Sequence, residues 1–230
     1  MGRPLLIGII IQARMGSSRL PGKVLKKIGN KSLLEHIFYR LKKVSHKVKI
    51  VVATTKLSQD NEIMKVCLEY KIECFRGSEL NVLERYYQCA LKYNFSHIVR
   101  VTSDNPFIDI EELDNLIDLH LNQQADYSRS FENLPKGIGC EIFTMAALEK
   151  SYRLGIKDNH KEHVNEFIEE NEEDFIICEL QIKNQQKHYP QINLTVDTFE
   201  DYKKACFIVE HSSNDFITTS EAIRLCLQFV

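Results

Sequence analysis

The sequence predicts an α/β fold of three layers, in which a mostly parallel sheet is covered by helices on both faces and carries a small antiparallel extension. Two observations lead there. Continuous apolar runs bounded by loop residues recur at 5–11, 49–53 and 97–101, the pattern of parallel strands buried on both sides. Helical patterns separate them, and this alternation up to Val101 implies right-handed crossovers with a ligand crevice at the carboxyl ends of the strands.

The helices carry their own start signals. Ser32 with Glu35 makes a capping box for a helix to about Lys43, Asn81 with Glu84 does the same for one to about Lys92, and another covers 58–70. After a helix over 110–122 the regularity weakens. Strands at 126–131, 139–143, 175–180 and 192–195 form the expected extension, and helices follow at 144–153, 160–171, 199–211 and from a Thr218/Glu221 box onward. The polar stretch 183–189 is the best loop candidate. No Pro/Gly/Ser linker divides the chain, so 1–230 reads as one domain.

Composition narrows the function. With 30 basic and 32 acidic side chains the net charge is -2, so nothing global points to nucleic acid or to an anionic membrane, and any phosphate binding must be local. Seven cysteines without a CxxC or a Cys/His cluster argue against a disulfide framework or a zinc site and fit a reducing cytoplasm. The run at 5–11 is too short to span a bilayer, and no signal-peptide cleavage pattern closes it.

Three segments concentrate chemistry. Gln12-Ala-Arg-Met-Gly-Ser-Ser-Arg-Leu-Pro-Gly-Lys23 follows the first strand; its small residues allow close backbone approach, and Arg14, Arg19 and Lys23 offer partners for a triphosphate. The same residues also read as a solvated basic loop. In Arg100-Val-Thr-Ser-Asp-Asn-Pro106 a strand hands over to a loop whose Asp104 can bind a hard cation or simply form a turn. In Leu194-Thr-Val-Asp-Thr-Phe-Glu-Asp201, Thr198 is a good N-cap and Asp197 a good residue before a helix, so the pattern by itself favours capping.

The stretch Ile11-Gln-Ala-Arg-Met-Gly-Ser-Ser-Arg-Leu-Pro-Gly-Lys-Val-Leu25 resembles the opening signature of the cytidylyltransferase family, with particular similarity to the spore coat polysaccharide biosynthesis protein F branch. The resemblance implies a nucleotide-binding, Rossmann-like fold and transfer of CMP from CTP to an acidic sugar, as relatives do with nonulosonic acids and the eight-carbon acid Kdo. It places Ala13, Arg14, Ser17, Arg19 and Lys23 on the nucleotide, with Thr102 and Ser103 nearby, and makes Asp104 and Asp197 the ligands of a magnesium ion (Mg2+). Arg76-Gly-Ser-Glu-Leu-Asn-Val-Leu-Glu-Arg-Tyr-Tyr87 is similar to a family segment that carries Ser78, Val82 and Arg85 to the nucleotide side, although Asn81 replaces a usual acid. Gly137-Ile-Gly-Cys-Glu-Ile-Phe143 and Lys161-Glu-His-Val164 resemble segments that assign Glu141 and His163 to the sugar, with Gly139 where an acid is common.

The implied mechanism is direct attack of an acceptor oxygen on the α-phosphorus, with Arg14, Lys23 and Asp104 as the catalytic set and pyrophosphate as the leaving group. Arg129, Lys136 and His163 are candidate partners for an acceptor carboxylate. The expected partners are CTP and a sugar acceptor, with no nucleic acid and no membrane; a homodimer stays open. Two alternatives also stay open: a sugar-phosphate nucleotidyltransferase using another nucleoside triphosphate, and a nucleotide-binding protein without turnover.

Overall fold

A computed structural model describes residues 5–229. In chain order it comprises β1 (Ile7–Gln12), β2 (Lys27–Ile28), β3 (Lys31–Ser32), α1 (Leu33–Leu41), β4 (Val48–Thr55), α2 (Asn61–Glu69), β5 (Glu73–Gly77), α3 (Val82–Lys92), β6 (His97–Thr102) and α4 (Ile110–Asn122). Then follow β7 (Tyr127–Arg129), β8 (Glu141–Thr144), α5 (Met145–Leu154), α6 (Asp158–Glu162), α7 (Glu166–Glu169), β9 (Ile177–Glu179), α8 (Phe199–Glu210) and α9 (Thr219–Cys226). The predicted α/β class is the observed one.

Seven strands form one sheet in the order β5-β4-β1-β6-β8-β7-β9. The pairs from β5 to β6 are parallel, β8 runs against both of its neighbours, and β9 is again parallel to β7. The register puts Gln12 beside Ala53 on one side and Thr102 on the other, so β1 and β6 end level while β4 continues to Thr55, and their following loops share one rim. Side chains alternate across the sheet. Ile9, Ile11, Val99 and Val101 pack with α1, α2 and α4 on one face, while Ile10, Ile98 and Phe143 pack with α3, α5 and the α6–α7 segment on the other. A third apolar cluster joins the β2–β3 ribbon to α8 and α9.

The local start signals operate as read. Ser32 and Glu35 form both bonds of the capping box, and the side chains of Asn81 and Thr218 accept from the N–H groups of Glu84 and Glu221. Three expectations need correction, and one strand was not anticipated. The strand β5, Glu-Cys-Phe-Arg-Gly, carries two charged residues on a sheet edge and so lacks the continuous apolar run of its neighbours. Residues 192–195 form no strand; they make one bridge, Lys136 to Asn193, through bonds to Lys136 on either side. The predicted helix over 160–171 breaks at His163, whose backbone is extended. The antiparallel character of the main sheet resides in β8 alone, and a separate antiparallel ribbon, β2–β3, lies within the segment after the basic loop.

Candidate active site

The basic loop is shaped by neighbours distant in sequence. Ala13 N–H continues the β1–β4 pairing to the Ala53 carbonyl (3.3 Å), and Met15 N–H donates to the buried Asp60 carboxylate (2.8 Å), which also accepts from the Thr55 hydroxyl (2.5 Å). The loop then folds back on itself, with Ser17 and Gly22 N–H both bonded to the Met15 carbonyl (2.9 and 3.0 Å). Gly22 has φ 67°, in the left-handed region where a side chain is disfavoured. This reversal turns Lys23 inward.

Lys23 is the centre of the cleft. Its ammonium donates to Asp104 Oδ2 (3.0 Å), Asp197 Oδ1 (2.8 Å) and the Val196 carbonyl (3.0 Å). The two aspartates, far apart in sequence, are stitched together by a backbone bond from Val196 N–H to the Asp104 carbonyl (2.8 Å). Next to this bond Gly137, at φ 92°, lets the 136–138 segment press against Thr195 and Asn105, where a Cβ would come within 2.9 Å of the Thr195 nitrogen. Thr102 Oγ1 donates to the second oxygen of Asp104 (2.6 Å), and Arg19 reaches Asp197 Oδ1 (2.9 Å). The Arg19 side chain is 63% exposed and that of Lys23 is 11%, so one cation sits at the mouth and the other on the floor.

Capping of α8 is done by others: Thr198 Oγ1 accepts from Asp201 N–H, and the Asp201 carboxylate accepts from Thr198 N–H. Asp197 is thereby free to face the cleft. The cleft holds about 350 Å³ and is walled by Arg14, Ser17, Arg19, Lys23, Thr102, Ser103, Asp104, His163 and Asp197, all singled out from sequence. Hard oxygen donors from two loops converge on one cation, the ammonium of Lys23, and that donor set fits a divalent ion of the magnesium type.

The cytidylyltransferase profile matches residues 8–222, spanning every element of this cleft. The chain belongs to the cytidylyltransferase family. It is 39% identical over 206 residues to an uncharacterized protein of Methanocaldococcus jannaschii, covering 90% of this chain and 84% of that one. It is 36% identical over 199 residues to the spore coat polysaccharide biosynthesis protein SpsF of Bacillus subtilis, covering 84% and 82%. The solved structure of a cytidylyltransferase from Leptospira borgpetersenii superposes with a TM-score of 0.91 at 32% identity, covering 97% and 94%.

Not every residue singled out from sequence reaches the cleft. Ala13 is buried beneath the loop and can offer only its backbone. Ser78, Val82 and Arg85 do not line the cleft: Val82 packs in the apolar core, while Arg85 and Ser78 line a neighbouring depression beside β5. Arg85 donates Nη1 to the Ser78 carbonyl (2.5 Å), yet its buried Nε and Nη2 have no partner among the described residues. Burial lowers its pKa, and the nearby Arg14 adds to that. Asn81 caps α3, its side-chain oxygen accepting from Glu84 N–H (2.8 Å). At Gly139 there is no room for a side chain, because a Cβ would lie 2.3 Å from the Ser130 carbonyl.

Glu141 requires a correction. It does not face the cleft; it is 2% exposed, and its two oxygens accept from Arg100 Nη1 and from the Tyr127 hydroxyl (2.6 Å). The residue that emerges on the wall in its place is Arg100, the β-sheet partner of Glu141. Burial opposes the charge of Arg100, but Glu141 outweighs it and holds the guanidinium above its ordinary pKa. Arg129 is likewise occupied, paired with Glu179 (2.6 Å) and Glu169 (2.8 Å), and is unavailable to an acceptor. Sequence reasoning gave no role to Gln12, Arg100 or Glu162, which line the cleft, or to Asp60, which anchors its loop. Gln12 and Arg100 lay inside the quoted motifs, whereas Asp60 had no local signal.

Among the described residues, the one group of three clustered metal-capable side chains is Asp109, Glu111 and Glu112, and it lies elsewhere. Lys187 already neutralises it at 2.7–2.9 Å, so it reads as an ion cluster around a buried lysine, with Asp109 and Glu112 buried and Glu111 exposed. No helix of the described residues is long and apolar enough to cross a membrane.

Proposed function

We propose that this protein transfers CMP from CTP to an acidic sugar, a nonulosonic or related 2-keto acid, releasing pyrophosphate. The observation that carries the reading is the convergence of Lys23, Asp104 and Asp197 on one point of the cleft, with Arg14 and Arg19 at its open side. Cations flanking a pair of carboxylates suit a triphosphate, whose oxygens need neutralising from several directions. Family membership supports cytidine, and the name of the SpsF relative supports a place in surface polysaccharide synthesis. A cytoplasmic setting belongs to the same reading, supported by seven free thiols.

An acceptor oxygen attacks the α-phosphorus and the β,γ-pyrophosphate departs, with no covalent enzyme intermediate. Arg14, Arg19 and Lys23 bind the phosphate oxygens and hold the departing group. Asp104 and Asp197 would hold Mg2+, and Thr102 keeps Asp104 oriented through its hydroxyl. Such a cation supplies charge neutralisation at the phosphate oxygens. Ser17, Thr102 and Ser103 are assigned to the nucleotide, and the unpartnered donors of Arg85 make it a candidate for the same ligand from the neighbouring depression.

The test is pyrophosphate release from CTP against a panel of acidic sugars, together with thermal shift by CTP, UTP, GTP and dTTP in the presence of magnesium. We expect CTP to bind at least about tenfold more tightly than the others, a difference of about 1.4 kcal/mol. A tenfold preference for another base would overturn the cytidine assignment. CTP binding without pyrophosphate release on any acid would overturn the reaction.

A further inference from the structure

Arg100 lies in the middle of the sheet, and its side chain remains 16% exposed, on the cleft wall beside Thr102, Glu162 and His163. Behind it stands a brace: Glu141, nearly inaccessible, accepts from Nη1, and the buried Tyr127 hydroxyl holds the other carboxylate oxygen at 2.6 Å. The guanidinium has five donors, and Nη1 serves Glu141. Among the described residues Nε is buried without a partner, as is Oε1 of Gln12 on the adjacent strand. Buried polar groups without partners are costly, so an arginine kept in this state on a cleft wall has the character of a donor awaiting a ligand.

The sheet order indicates which ligand. The basic loop leaves β1 and the Ser78/Arg85 segment follows β5, so most of the groups assigned to the nucleotide lie on the β5-β4-β1 side, and Thr102 and Ser103 at the end of β6 mark its border. Arg100 is on β6 and turns toward β8, where Glu141 is its register partner. Val164 shares the apolar cluster of Tyr127 and Phe143, which brings the neighbouring His163 and Glu162 over this same half of the sheet. Arg14, Arg19 and Lys23 already provide for the triphosphate. A guanidinium fixed by a carboxylate behind it presents a planar fork suited to a second carboxylate in front.

We propose that Arg100 reads the carboxylate of the acceptor sugar, with Glu141 and Tyr127 as the residues that position it. This rests on the acidic-acceptor reading above. Arg100 is then the specificity-determining residue of the site, while Glu141 acts through it and does not touch the sugar.

The experiment compares wild type, Arg100→Lys, the uncharged double variant Arg100→Gln/Glu141→Gln, and Tyr127→Phe. Each is assayed with an acidic sugar, its carboxamide and a sugar phosphate, and CTP affinity is measured separately by calorimetry. The double variant leaves no lone buried charge, and circular dichroism checks its fold. We expect Arg100→Lys and the double variant to raise KM for the acid by about 20-fold or more, the loss of a charge-assisted bidentate contact, with CTP affinity within about twofold of wild type. Their preference for acid over carboxamide should fall to near unity. Tyr127→Phe should raise KM for the acid about threefold, with kcat and CTP affinity retained, because it loosens the brace alone. Weakened CTP binding with the acid preference intact would move Arg100 to the nucleotide and overturn the proposal. A preference for the sugar phosphate that disappears with Arg100 would show phosphate reading and overturn it too. Equal use of acid and carboxamide by wild type, or no use of either, would mark failure of the acidic-acceptor reading itself, since that outcome appears before any variant is made.

Discussion

Two lysines in this molecule are clasped by carboxylates, and they do opposite work. Lys23 holds Asp104 and Asp197 at the floor of an open cleft, with Arg19 competing for the same Asp197 oxygen. Lys187, 6% exposed, meets Asp109, Glu111 and Glu112 beneath the 185–187 turn, and Thr219 donates to Asp109 at 2.5 Å. Burial works against the charge of Lys187, yet its three acids raise its pKa. The second cluster ties α4 to the turn and α9 around a lysine closed off from solvent, with Glu111 alone facing outward, and its geometry is that of a structural tie. In the first, the ammonium reaches from a loop to the point where the proposed reaction puts an exchangeable cation or phosphate. The number of acids around a lysine is therefore a poor guide to function; access from solvent and redundancy of the partners separate the two roles.

The sharpest way to break this comparison is to remove one member from each cluster. Asp104→Ala should lower CTP-dependent pyrophosphate release by about 10³-fold or more while the melting temperature stays within a few degrees. Lys187→Met should do the reverse. Stranding buried carboxylates costs about 3–5 kcal/mol, on the order of 10 °C for a chain of this size, while kcat/KM at low temperature stays near wild type. Melting curves and a pyrophosphate assay on both variants decide it, and exchanged phenotypes would mean that the roles have been assigned the wrong way round.

A smaller effect sharpens the claim that Lys23 stands where a cation belongs. In Lys23→Met, Mg2+ or Mn2+ without nucleotide should raise the melting temperature more than in wild type, reflecting about tenfold tighter binding, or about 1.4 kcal/mol. Equal metal shifts in the two proteins would show that Asp104 and Asp197 do not form a cation site once the ammonium is removed.

The smallest expected effect concerns a buried polar cluster away from both. His120 contacts His97 (3.0 Å) and Ser128 Oγ (2.9 Å), and burial, reinforced by His97, lowers its pKa from 6.5 to about 3. The unfolded chain therefore takes up a proton that the folded chain refuses. Stability from this group is present above pH 6.5 and is lost progressively as pH falls from there toward 3. Melting temperature should decline over this interval, and His120→Gln should flatten part of the slope. Identical acid slopes in both proteins would remove His120 from the account.

What could be read directly from the residues was local. Apolar runs announced the central strands, and Ser32, Asn81 and Thr218 announced helix starts, because strand burial and capping depend on residues within a few positions of one another. The basic loop and both aspartates were visible as chemistry and, through family resemblance, as a site. Their assembly was not visible. That Lys23 meets both aspartates depends on a loop anchored by Asp60 and on the bond from Val196 to Asp104. Glu141 shows the same limit from the other side. Its segment announces a carboxylate at a strand start, but whether that carboxylate meets sugar or is buried depends on Arg100 from β6 and Tyr127 from β7. The charged edge strand β5 and the break at His163 were likewise settled by packing against elements distant in sequence. Short-range steric and hydrogen-bonding preferences therefore determined the central strands and the capped helices from sequence alone. Only tertiary structure decided which charges face each other and which face the cleft, because electrostatic pairing depends on distance in space and on exclusion of water, neither of which is encoded by neighbours along the chain.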